Sequence, residues 1–150
     1  MTRHKILLLV TLIHLILLSS VAYASGEGFW RGFYQYSSAV RDGKDSPNEF
    51  DKNPIPLYLK LEQTKSTLVG VYSTKFGDDK FKSSPISDLQ NVTGSINDQT
   101  INLILHSDNS FVISSPKKIR GKLKGNTISG EFTIIYDRVI YSGIVELEKY

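Results

Sequence analysis

A five-residue pattern recurs along this chain: an apolar residue, any residue, glycine, any residue, a second apolar residue. It appears at Trp30-Gly32-Tyr34, Leu68-Gly70-Tyr72, Val92-Gly94-Ile96, Ile119-Gly121-Leu123, Ile128-Gly130-Phe132 and Tyr141-Gly143-Val145. Each glycine shares a strand face with the apolar residues two positions away. Glycine weakens a strand unless the backbone bends sharply there or meets something closely. A sheet that curls onto itself needs such points on its concave face. The pattern therefore predicts an all-β fold: an antiparallel up-and-down barrel of about eight strands, closed or nearly so.

The rest of the chain agrees. Helical periodicity is nearly absent, and alternation runs through "IPLYLKLEQ", "TINLILH", "TISGEFTIIY" and "VIYSGIVELEK". Lys124-Gly125-Asn126-Thr127 carries the signal of a two-residue hairpin, and Asp137-Arg138 links the last two strands as tightly. Short links between neighbours imply a meander. Two links are long, polar and proline-containing: Ser37–Pro54 and Gly77–Gln90. Both follow an odd-numbered strand, so both are expected to frame one barrel mouth. The count is eight strands if Phe111–Lys124 is one strand bent at Pro116, and nine if it is two.

Residues 1–24 are read as a signal peptide. Arg3 and Lys5 give a positive start, an apolar run follows, and Ala22-Tyr23-Ala24 has the small-x-small form of a cleavage site. The uninterrupted apolar part is shorter than the ~20 residues of a spanning helix, so no stable membrane anchor is expected. The single domain then covers residues 25–150, exported to the periplasm or secreted. Loss of Arg3 and Lys5 brings the formal charge from +3 to +1, which removes the case for nucleic-acid binding. The chain has no cysteine. It is neither a disulfide scaffold nor an acylated lipoprotein, and its stability rests on a packed core.

Gly28-Phe29-Trp30 on the first strand of an eight-strand meander resembles the calycin superfamily of lipocalins, fatty-acid-binding proteins and avidins. The resemblance implies that Trp30 closes one barrel end and packs under a basic side chain from late in the chain, with Arg120 or Arg138 as that residue. Avidins line their pocket with several tryptophans, and Trp30 stands alone here, so biotin is not the expected ligand. The disulfides of secreted lipocalins and their Thr-Asp-Tyr signature are missing.

No constellation of catalytic or metal-binding type emerges. His106 is read as an exposed imidazole at a strand end. The aspartates Asp51, Asp78, Asp79 and Asp88 lack calcium-loop spacing. No cofactor and no metal are called for, and the protein is read as a non-enzyme. The expected function is non-catalytic binding of a small apolar or amphipathic ligand among Trp30, Tyr34, Leu59, Tyr72, Leu103, Phe132 and Tyr141. The alternative is a protein-binding module with a filled barrel, of inhibitor or immunity type. It would dock through the long loops or through a basic strand face formed by Lys118, Arg120, Lys122 and Lys124. An interior volume on the order of 300 Å³ or more separates the first from the second.

Overall fold

The structure, a computed structural model, describes residues 25–46, 50–75, 77–85, 89–107 and 115–150. The signal-peptide segment and the expected strand at Phe111–Ser114 lie outside them. Nine strands run in chain order: β1 (Gly28–Arg41), β2 (Lys44–Asp45), β3 (Ile55–Thr64), β4 (Thr67–Ser73), β5 (Gln90–Asn97), β6 (Thr100–Leu105), β7 (Lys117–Lys124), β8 (Thr127–Tyr136) and β9 (Val139–Lys149). A short helix, α1 (Asp78–Ser83), lies between β4 and β5. All pairings are antiparallel, and β1 pairs with both β3 and β9. Eight strands thus close into an up-and-down barrel, and β2 is a two-residue addition at the end of β1.

The glycines make that closure possible. A Cβ at Gly32 would run into the carbonyl oxygen of Glu146, and one at Gly143 into that of Gln35. Both positions lie on the β1–β9 seam. Only a residue without a side chain lets the two backbones turn this tightly while keeping the ladder. A register shift between Tyr36 and Ser38 adds a bulge on the same seam, a further device for bending a strand.

The middle of the interior face is apolar. Trp30, Leu57, Leu59, Leu68, Ile101, Leu123, Ile128 and Val145 are each 0% exposed. They belong to one core cluster in the barrel interior. At roughly 1.5–3 kcal/mol per fully buried large side chain, this cluster supplies the main stabilisation of a chain without disulfides.

The connections define two ends. One carries two-residue turns at Lys65-Ser66, Asp98-Gln99 and Gly125-Asn126, together with both ends of the described chain. Lys65, Asp98 and Gly125 adopt φ of 56, 53 and 57 degrees there, the left-handed conformation that tight hairpins require. The other end carries the links after β1, β4 and β6 and the Asp137-Arg138 turn, whose residues both have positive φ.

Three expectations need correction. β1 does not stop at Tyr36: it continues to Arg41, because the long β9 offers a partner for Val40 and Arg41 at Ile140 and Val139. The first long link is shorter by the same length. The second long link was expected to begin at Gly77, but β4 already ends at Ser73. Part of the second long link is not a mouth loop. It forms α1, which lies on the outer wall, where Phe81 packs with Val71, Leu89, Phe29 and Tyr58. No side chain caps α1 at Gly77, so this small apolar cluster holds the helix in place.

Candidate functional site

At the sealed end, Trp30 is fully buried and its indole N–H donates to the Gly26 carbonyl at 2.9 Å. The Gly26 amide donates in turn to Gln63 Oε1 at 2.8 Å. The segment before β1 is thereby pinned across the barrel end. Neither Arg120 nor Arg138 is the cation beside the indole. That group is Lys149, with Nζ 5.6 Å from the ring. Arg120 stands exposed on the outer wall, and Arg138 sits in the turn at the opposite end. Lys149 follows Val145 and Leu147 at intervals of two, so its inward parity was readable in the sequence.

The six nominated lining residues Trp30, Tyr34, Leu59, Tyr72, Leu103 and Phe132 are all buried in the barrel core. Tyr141 is half-buried, at the mouth. All six buried members belong to the same packed cluster. Surface hollows lie elsewhere. One, of about 150 Å³, sits under α1 and is lined by Phe29, Lys60, Val71, Phe81 and Leu89. An open groove runs along the outer wall past Asn102, Ile104, Lys118, Arg120, Glu131 and Thr133.

The mouth is built from aromatic rings. Tyr36 contacts Tyr34 at 5.8 Å, Phe132 at 5.1 Å, Tyr141 at 5.8 Å and Phe50 at 6.0 Å between centroids. Most of these are edge-to-face, the geometry that the ring quadrupole favours. Phe50 belongs to the first long link, and Gln35 Nε2 donates to the Lys52 carbonyl at 2.7 Å, so this link does reach the mouth. Burial raises the pKa of both the Tyr34 and Tyr36 hydroxyls. The Tyr72 hydroxyl donates to the His106 carbonyl at 3.0 Å. His106 itself turns to the outer face, its Nε2 2.9 Å from Thr93 Oγ1.

One mouth residue was missed as a site residue. Lys117 begins β7 with the inward parity of Ile119, Gly121 and Leu123. Its Nζ lies 3.3 Å from the centre of the Tyr34 ring and 5.6 Å from that of Phe132. Burial lowers its pKa from the ordinary lysine value to about 7. The spacing carried the signal, but a run of neighbouring lysines reads most simply as surface.

The basic face is present as expected. Lys118, Arg120, Lys122 and Lys124 are all exposed and alternate with buried residues. Across the ladder they meet Thr133, Glu131, Ser129 and Thr127 in turn, so one acid faces four cations. Lys122 Nζ also donates to Thr100 Oγ1 at 2.7 Å. No protein-family model, curated protein or solved structure matches this chain.

Proposed function

We propose that this is a non-catalytic, exported binding module of the filled-barrel kind, which docks a protein partner through the outer face of β7. The observation that carries this reading is the interior. The residues nominated to line a ligand cavity are instead packed against one another, and the hollows described above lie outside the barrel. A cargo of drug-like size needs a cavity of several hundred Å³. Packing of those side chains in the interior supports binding at the wall and the mouth instead.

The outer face of β7 supports the choice of surface. Four exposed cations in register with a single acid on the next strand form a basic strip beside an open groove. Such a strip attracts an acidic protein surface and speeds encounter with it. Export is supported by the leader-like composition of residues 1–24. The calycin resemblance is supported by the late lysine over Trp30, although the residue differs from both expected arginines.

Native mass spectrometry of the protein recovered from its own host tests the reading. A complex with a second polypeptide, lost in an Arg120→Glu/Lys122→Glu variant, is the expected result. A retained small-molecule mass, released on denaturation and unaffected by that variant, would restore the ligand-carrier reading and overturn this one.

A further inference from the structure

Lys117 carries chemistry that docking through the outer wall does not use. Its amine sits on the faces of the Tyr34 and Phe132 rings, and among the described residues no carboxylate pairs with it. Among the described residues its amine contacts the rings of Tyr34 from β1 and Phe132, and Tyr36, also from β1, packs against both rings. β6 and β8 present Leu105 and Phe132. The titratable groups of that set, Tyr34 and Tyr36, are phenols whose ionisation burial opposes. The rings give the ammonium only their quadrupole, which is a weaker partner than an anion or water.

We propose that Lys117 is a covalent carbonyl-binding site at the barrel mouth, where the amine seated on the Tyr34 and Phe132 rings captures an aromatic or apolar aldehyde as an imine. The amine lone pair attacks the carbonyl carbon while the C=O π pair moves to oxygen. A proton passes from nitrogen to that oxygen, giving a carbinolamine. The hydroxyl then takes a second proton and leaves as water as the C=N bond forms, and nitrogen gives up its remaining extra proton. Amine and aldehyde become imine and water, with no change of oxidation state.

The surroundings favour this outcome over a free ammonium. The mouth penalises charge on the nitrogen, and a neutral imine removes it. A free amine is the nucleophilic form, and a pKa near 7 leaves about half of Lys117 in that form at neutral pH. The phenols stay protonated because burial opposes their ionisation, so they can lend a proton to the departing oxygen. The rings of Tyr36, Phe50 and Tyr141 offer walls for the carbon part of the aldehyde.

Benzaldehyde with cyanoborohydride, which traps an imine as a secondary amine, tests the proposal on the whole protein at pH 7. Peptide mass mapping reads each lysine. An ordinary lysine is under ~0.1% free amine at this pH, so Lys117 has an advantage on the order of a thousandfold in free base. Lower intrinsic nucleophilicity and restricted access reduce this. Lys117 is expected to label at least roughly tenfold faster than its exposed neighbour Lys118. Lys117→Arg is expected to abolish the fast site, and Lys118→Arg to leave it. Should Lys117→Arg not fold, the rate at Lys117 in the unaltered protein decides: it is expected to level off above pH ~8, while that at Lys118 keeps rising toward pH ~10. Equal labelling of the two residues, sparing of Lys117, or parallel pH profiles would overturn the proposal.

Discussion

The two ends of this barrel are closed by different chemistry. Each carries one inward-facing lysine over an aromatic ring: Lys149 over Trp30 at the sealed end, Lys117 over Tyr34 at the mouth. At the sealed end the indole N–H is satisfied by a backbone carbonyl, the turns are two residues long, and the segment before β1 lies across the opening. At the mouth tyrosines with their hydroxyls join Phe50 and Phe132, three of the four links are longer, and burial disfavours charge on the amine. One end spends its aromatic residue on stability. The other holds polar groups in an apolar setting, which is where shifted acid–base behaviour and binding chemistry concentrate.

The difference can be broken, starting with the largest effect. Trp30→Ala removes the plug of the sealed end and is expected to lower unfolding stability by about 3–5 kcal/mol in urea denaturation. Tyr36→Ala at the mouth removes a half-buried ring with four aromatic neighbours. It is expected to lower stability by about 2 kcal/mol, less than the loss at Trp30. Equal losses would mean that the two ends contribute alike to the core.

Lys117 gives a pH test. Its folded pKa, about 7, lies below the ~10.4 of the unfolded chain. Between those values the unfolded state binds more protons, so stability rises with pH. Below about pH 7 the desolvation penalty is present in full, and it is relieved as pH climbs toward 10. Lys117→Met is expected to be more stable than the parent at pH 6, by about 1–2 kcal/mol after solvent screening. The gap should narrow by pH 9, as followed by denaturant melts at each pH. A constant gap would separate the lysine from the effect. Lys149→Met is the smallest change, with an expected loss of about 0.5–1 kcal/mol from the cation–ring contact in the same melts.

Much of the fold was legible because strand physics is local. Alternation, six glycines on the concave face and turn residues suited to positive φ specify a closed meander and its register. That register put Trp30, Tyr34 and Phe132 inside. The positions of Lys117 and Lys149 were equally legible by parity, yet they are terminal strand residues whose length allows the charge to point either way. The extension of β1 to Arg41 was not legible. Ser37-Ser38-Ala39 has the composition of a loop, and only the length of β9 across the seam makes it a strand. Nor was α1, which has no helical periodicity or side-chain cap and exists because Phe81 finds Phe29, Tyr58 and Val71 on the wall.

The sequence by itself determined an all-β barrel, its glycine bend points, its basic outer strip and the inward identity of its rings. Each of these follows from spacing along one strand. The tertiary structure decided that the nominated lining residues pack into one core, that the cation beside Trp30 is Lys149, and that Lys117 sits desolvated at the mouth. Those outcomes depend on how side chains from strands far apart in the chain share one enclosed volume, and no local pattern encodes that sum.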